Sequence, residues 1–486
     1  TLDGGAGDDT ILGSQGADVI LGGDGDDFVF GDNGKDVALL GAGDDVFQWD
    51  PGDGNDTIEG QDGIDQLLFF GSNASENINI VANGGRALFL RDVANVTMDL
   101  NDLETIEYRA LGGADNIVIG DLSGTDVTDI DIDLRGPNGG GDGAADTVTA
   151  NGTNGADVFG IVGDAGRVRV LGLQAQVDIF HQEQGNDRVV LNALGGDDVV
   201  DATSLEADGV QLTMNGGLGN DVFLGSEGGD LINGGDGNDI AFMGAGDDVF
   251  TWNPGDDNDT LEGQDGFDTM DFNGSNAAEN VDIFANGGRV LLTRNVANVV
   301  MDLNDMESID YDALGGADRI TIGDLSGTDV TEINIDLGSG GVGDGQPDTV
   351  IINATEGDDV VLVQGENGSV TVLGLAAVVN ITNMEQADQL IINLLDGDDV
   401  VEASGLDANI AFVGDGGDGD DVLVGGNFAD TLLGGLGDDV LIGGLGLDIL
   451  DGGIQLDLLR LVVDNQTPDA VQKIPHAIDP FHAPRL

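Results

Sequence analysis

Short apolar triplets recur every nine residues at the start of the chain, each preceded by six small or polar residues. Between Gly4 and Leu68 the unit reads GGAGDDTIL at Gly4–Leu12, GSQGADVIL at Gly13–Leu21, GGDGDDFVF at Gly22–Phe30 and GDNGKDVAL at Gly31–Leu39. In extended chain successive side chains alternate faces, so a triplet x-U-x with an apolar middle predicts a short strand with one side chain inward. Glycines at the first, second and fourth places supply turn backbone with positive φ and no Cβ penalty. One unit buries nothing by itself, whereas stacked copies build a continuous apolar ladder. Two units make one coil, which puts strand partners 18 residues apart.

From Phe69 to about Asn215 the glycine period fades and β-branched runs replace it: Ile78–Val81, Ala87–Leu90, Val96–Leu100, Ile117–Ile119, Ile130–Leu134, Val168–Leu173 and Val189–Leu194. Their alternation predicts strands. Pieces of the turn persist at Leu111–Asp115 and Leu194–Asp198, so the coil is expected to continue as a wider parallel β-helix with few or no ions; a separate antiparallel sandwich is the alternative. The whole pattern then returns about 203 residues later. Gly43–Phe47 reappears as Gly246–Phe250, Asn83–Arg86 as Asn286–Arg289, and Gly120–Thr128 as Gly323–Thr331. The chain thus reads as two full modules and the opening of a third. At roughly 18–22 residues per coil and ~4.8 Å rise, 486 residues predict an elongated solenoid on the order of 100 Å or longer.

Charge changes the picture. The formal charge is −79, from 93 acidic and 14 basic residues. Such a balance suits a disordered chain, but the 40% hydrophobic content predicts an ordered core. The acids are also placed in phase. The sixth place is Asp9, Asp18, Asp27, Asp36 and Asp45, then, past a two-residue insertion at Trp49-Asp50-Pro51, Asp56 and Asp65. In the second block it is Asp221, Asp230, Asp239, Asp248, Asp259 and Asp268, and in the third Asp421, Asp430, Asp439, Asp448 and Asp457. Stacking brings these to about one strand spacing (~4.8 Å), where unpaired like charges oppose folding unless a cation sits among them. Carboxylates and glycine-loop carbonyls form an all-oxygen, flexible shell that suits Ca²⁺ better than Mg²⁺ or Zn²⁺. The same charge argues against nucleic acid as a partner. Without cysteine there is neither disulfide nor thiolate site. No apolar run reaches membrane-spanning length and no signal peptide is visible. The chain begins inside a repeat without an initiator Met, so it is read as part of a longer or processed polypeptide.

Gly4–Leu12 matches G-G-x-G-x-D-x-U-x, and the run as a whole resembles the nonapeptide repeats of RTX (hemolysin-type) calcium-binding proteins. That resemblance implies an all-β chain in which parallel β-roll blocks alternate with the strand-rich β-helix-like segments. Several Ca²⁺ ions would lie between successive turns, held by sixth-place aspartates and turn carbonyls. The implied ligands are Asp9, Asp18, Asp27, Asp36, Asp45, Asp65, Asp221, Asp230, Asp239, Asp248, Asp268, Asp421, Asp430, Asp439 and Asp448, with Gly5, Gly7, Gly22, Gly31, Gly225, Gly234, Gly434 and Gly443 in the turns. Asp56 and Asp259 stand apart because the insertion disturbs their phase, and Asp457 because Gln455 replaces its fourth-place glycine. The family is typically exported unfolded by bacteria and folds where calcium is plentiful. The expected segments are 1–68, 216–271 and 416–460 for the roll blocks, 69–215 and 272–415 for the strand-rich stretches, and 461–486 for a Pro-rich tail.

Few groups suit catalysis. His181 has Asn383 as its counterpart in the second module, and His476 and His482 lie in the tail, which also holds Pro468, Pro475, Pro480 and Pro484. Arg86, Arg91, Arg289 and Arg294 are the residues a polysaccharide lyase or epimerase would use, although carboxylate pairing explains them more simply. Trp49 and Trp252 suggest either a sugar or subunit contact, or cover for the widened coil. A lone Gly112–Asn116 is read as a plain turn. The favoured function is a non-enzymatic, calcium-stabilised extracellular structural protein, a rod, fibre, matrix element or adhesin stalk capable of end-to-end self-association and of contact with a cell surface or polysaccharide. The alternatives are the carrier region of a larger secreted enzyme or toxin and, less favoured, a polysaccharide-modifying β-helix.

Overall fold

The computed structural model describes residues 1–406 and 410–461. The proline-rich tail with His476 and His482 lies outside the described residues. The described residues form two compact units, Thr1–Phe250 with Gly263–Gly266, and Thr251–Glu262 with the described residues from Phe267 on.

In the first unit the chain winds between two sheets. On one wall Leu2–Ala6, Val19–Asp24 and Val37–Ala42 pair in parallel, Ile20 opposite Leu2 and Ala38 opposite Ile20. On the other Thr10–Leu12, Phe28–Phe30 and Val46–Trp49 do the same, Val29 opposite Ile11 and Phe47 opposite Val29. The register step is therefore the 18 residues that two nonapeptides contain. The middle residue of each triplet is buried and its neighbours are not, as x-U-x requires. Ile20, Val29, Ala38, Phe47, Ile58 and Leu67 are fully enclosed.

The strand-rich stretch continues the same winding and is not a separate sandwich. What widens it is a pair of three-stranded antiparallel meanders inserted in the parallel sheets. Asn77–Asn83, Arg86–Arg91 and Val96–Asn101 form the first, flanked by parallel pairing of Val96–Asn101 with Thr57–Asp62 and of Asn77–Asn83 with Asn116–Ile119. Val158–Asp164, Arg167–Leu171 and Gln176–Phe180 form the second. Beyond them the 18-residue step returns, with Ile232 opposite Met214 and Phe250 opposite Ile232.

The second unit repeats this order. Its meanders are Asn280–Asn286, Arg289–Arg294 and Val299–Asn304, then Val360–Glu366, Ser369–Leu373 and Val378–Thr382. Val422–Val424, Val440–Ile442 and Leu458–Arg460 close it at 18-residue spacing.

Both tryptophans are core. The Trp49 ring stacks on Phe69 at 4.1 Å and Trp252 on Phe272 at 4.2 Å, each within 2° of parallel. Their indole N–H groups donate to the carbonyls of Gly54 and Asp257, pinning the looped-out insertion to the coil. Neither is available for a sugar face.

Candidate metal centre

Each sixth-place aspartate closes a turn and ties it to the next coil. The backbone N–H of Asp9 donates to Asp27 Oδ1 at 2.8 Å, that of Asp27 to Asp45 at 2.7 Å, and that of Asp45 to Asp65 at 2.9 Å. Along the other edge Asp18 donates to Asp36 and Asp36 to Asp56, at 2.7 and 2.8 Å. Asp56 keeps its place because the insertion bulges outward, held by Asp53 donating to the Asp50 carbonyl and Asp50 to Asp53 Oδ2. The columns run on through Asp221 to Asp239 and Asp230 to Asp248. In the third block they link Asp421 to Asp439 and, at longer distances of 3.2 and 3.4 Å, Asp430 to Asp448 and Asp439 to Asp457.

The second carboxylate oxygen is the unusual feature. Oδ2 of Asp27, Asp36, Asp45, Asp56, Asp65, Asp221, Asp421 and Asp439 is buried with no hydrogen-bond partner. It lies against the turn's first-place glycine: a Cβ built on Gly22 or Gly434 would fall 2.6 or 2.3 Å from Oδ2 of Asp27 or Asp439, and one on Gly234 or Gly443 would fall 2.1 or 2.5 Å from the carboxylate of Asp239 or Asp448. Gly31 is held in the same way and Gly225 by the carbonyl of Met243. The second- and fourth-place glycines stack instead on their equivalents one coil away. Gly5 and Gly7 adopt φ near 100°, and a Cβ on Gly23 or Gly25 would meet their backbone at 2.0 and 2.6 Å. Burying an anionic oxygen without a partner is costly. Burial accordingly pushes the carboxyls of Asp56 and Asp65 up to about 7 and of Asp221 and Asp421 to about 6, with neighbouring aspartates adding to the rise. A column of desolvated, unpartnered carboxylate oxygens beside carbonyl-rich turns is the donor set a hard divalent cation needs. The residues therefore fit Ca²⁺.

Two features were not legible as sites. The fifth-place acids form an exposed ladder running the opposite way: Asp26 donates to Asp8, Asp44 to Asp26 and Ile64 to Asp44. The repeated Asp-Asp doublet was its only trace. The buried column also crosses the strand-rich stretch. Glu76 donates to Asp115, Asp115 to Asp146 and Asp146 to Asp187, and in the second unit Glu279, Asp318, Asp348 and Asp388 do likewise. Asp115, expected in a plain turn, is buried with Oδ2 unpartnered, and burial raises its carboxyl to about 8.

The other candidates resolve into ion pairs and hydrogen bonds. Arg91 Nε donates to Glu76 at 2.9 Å, Nη2 completes a fork, and Tyr108 donates to the same carboxylate. In the second unit Arg294 Nη2 and Tyr311 donate to Glu279 in the same way, but Arg294 Nε is left without a partner, so the fork is not completed there. Arg86 bridges Glu59 and Asp99, and Arg289 bridges Glu262 and Asp302. Asp129, Asp131 and Asp178 bring carboxylate oxygens within 4.8 Å of one another, yet Arg167 and Arg169 both donate to Asp178. In the second module the counterparts are Glu332, Asn334 and Asn380, with Asn380 Nδ2 donating to both others. His181 Nδ1 lies 2.9 Å from Asp133, and Asn383 donates to Asp336 from the same left-handed backbone, φ 60° and 59°.

Fold and site together define a coiled, two-sheet β-roll whose turns carry columns of metal-binding carboxylate. The family model described as the RTX calcium-binding nonapeptide repeat matches residues 3–38, 12–47, 51–67, 215–250, 254–274 and 415–458. These segments are RTX repeats, a calcium-binding element typical of secreted bacterial proteins; the stretches between them are unmatched. No curated protein matches the chain.

Proposed function

We propose that this chain is a calcium-stabilised, non-enzymatic structural protein that works outside the cell, as a spacer or matrix element able to associate end to end. The observation that carries this reading is what the two modules share. The stacked core, the Arg–Glu pairs and the carboxylate columns recur, from Trp49 to Trp252 and from Asp65 to Asp268. The groups with chemical potential differ: His181 becomes Asn383, and Asp178 with its two arginines becomes Asn380 with Ser369 and Thr371. Duplication that keeps the scaffold and varies those groups suits length and stiffness, and ligation of Ca²⁺ couples the same columns to folding.

Titration of chelated protein with Ca²⁺, followed by far-ultraviolet circular dichroism, tests it. A cooperative gain of β signal is expected in the ~10⁻⁴–10⁻³ M range of extracellular calcium modules, reversed by chelator. A chelated protein with full β signal and an unchanged melting point would overturn the calcium reading. Negative-stain microscopy tests association: filaments or end-to-end pairs with calcium are expected, and monomers alone under all conditions would remove that part.

A further inference from the structure

The turns that share a sixth-place carboxylate do not treat it alike. At equivalent positions of the three repeat blocks stand Asp27, Asp230 and Asp430, and the residue at the second place of their turns is Gly23, Ser226 and Gly426. Asp27 Oδ2 is buried without a partner, and so is Asp430 Oδ1. Asp230 is as deeply buried, but both its oxygens are held. The Ser226 N–H donates to Oδ2 at 2.7 Å and the Ser226 hydroxyl to Oδ1 at 2.9 Å, while the same hydroxyl accepts from Gly228 N–H.

This is not peculiar to one turn. Thr153 closes on Asp157 and Thr355 on Asp359 with the same pair of donors, at 2.8–2.9 Å. Ser72 and Ser275 hold Glu76 and Glu279, whose charge a buried arginine also offsets. None of these five carboxylates is left with a partnerless buried oxygen. Ser14, at φ 70°, is placed differently and donates through its N–H to Asp32. Gly426 makes the comparison with Ser226 close: its N–H also donates to the carboxylate, Asp430, at 2.7 Å, so the two turns differ at this point by the hydroxyl.

We propose that the residue at the second place selects between an ion and an internal hydrogen bond, so that hydroxyl-bearing turns such as Ser226–Asp230 are built without calcium inside a calcium-binding block. The proposal rests on the calcium reading above. A hydroxyl there takes the oxygen an ion would use and occupies its space at the mouth of the turn. The sixth-place aspartate then serves as a turn cap, and its presence alone does not count as a site.

Counting bound Ca²⁺ per chain by equilibrium dialysis and atomic emission, on the full chain at millimolar calcium, tests this. Ser226→Gly is expected to bind one ion more than the parent and Gly426→Ser one fewer, with Gly426→Ala unchanged because it adds a methyl and no donor. A Cβ at Gly426 would lie 2.9 Å from the Leu406 carbonyl, so circular dichroism in calcium accompanies each count; if Gly426→Ser does not fold, Ser226→Gly decides. A parent that binds calcium while Ser226→Gly leaves the count unchanged would overturn the selection rule and leave the calcium reading standing. Absence of uptake by every chain would remove both.

Discussion

Replacing Asp65 by Asn should stabilise the metal-free chain and destabilise the calcium form, a reversal of sign that few substitutions can produce. Asp65 is fully buried, accepts from Asp45 N–H through Oδ1, and leaves Oδ2 without a partner. Its carboxyl is raised from 3.8 to about 7, chiefly by burial. At pH 8 the group is ionised in both folded and unfolded chains, and every tenfold gain in proton affinity on folding corresponds to about 1.4 kcal/mol against the charged folded state. A roughly thousandfold gain gives at most about 4 kcal/mol, and about 2 kcal/mol once solvent near the turn screens the charge. Asn keeps the acceptor for Asp45 N–H and removes the charge, so the metal-free fold gains about that much. With calcium in excess the same change deletes a ligand. Loss of one ion at a thousand times its dissociation constant costs about 4.1 kcal/mol, so against the roughly 2 kcal/mol returned by removing the charge the calcium form loses about 2 kcal/mol net. Trp49 and Trp252 are both enclosed, so their fluorescence reports unfolding. Urea midpoints at pH 8 with calcium should fall, whereas the concentration of a stabilising osmolyte needed to fold the chelated chain should also fall. Changes of the same sign in stability under both conditions would refute the reasoning, because they would mean that the carboxylate acts as an ordinary hydrogen-bonding group.

Acid should partly replace calcium: Asp56, Asp65, Asp146, Asp318 and Asp348 all have carboxyls raised to about 7, mainly by burial, so the folded state holds protons more tightly than the unfolded one. Metal-free stability should therefore rise as pH falls from 8 through 7 toward 4, seen as returning β signal in calcium-free buffer; a flat profile counts against it. Arg91→Met strands the buried Glu76 and should cost ~3–5 kcal/mol, with much of this recovered by adding Glu76→Gln, as a double-mutant cycle in urea would read out. Trp252→Ala removes the ring stacked on Phe272 and should cost ~3–5 kcal/mol in the calcium form, measured by thermal unfolding.

The roll blocks were legible because their two signals, the apolar triplet and the glycine turn, share one period and reinforce each other. The meanders were not, because a strand in a hairpin and a strand in a coil alternate identically. The clue was Asn83-Gly84-Gly85-Arg86, a tight-turn sequence that served only as a registration mark; Gly84 takes φ 71° there and joins two antiparallel strands. The continued column was hidden for another reason. At Leu111, Leu194, Leu314 and Leu395 a leucine holds the second-place positive φ, between 63° and 78°, that glycine holds in the repeats. The backbone shape survives there while the residue that signals it is lost.

The chain takes carboxylates out of solvent and neutralises or satisfies them in three ways, by guanidinium at the buried Glu76 and Glu279, by hydroxyl at the buried Asp230 and the half-buried Asp157 and Asp359, and by neither at the buried Asp27, Asp65 and Asp421. The first two are available wherever the chain folds. The third is satisfied only when something outside the sequence supplies the positive charge, and those turns lie in the glycine blocks, where the apolar triplets give strands of only three residues. Small strands bury little, so stability there is most easily outweighed by repulsion. The strand-rich stretches have longer strands and buried Arg–Glu pairs to offset their own unpartnered aspartates, such as Asp115. Loss of calcium should thus melt the roll blocks before the meanders. Hydrogen exchange that is uniformly lost on chelation, with the amides of Ile80 and Phe89 no better protected than those of Val29 and Phe47, would show that the two kinds of coil unfold as one.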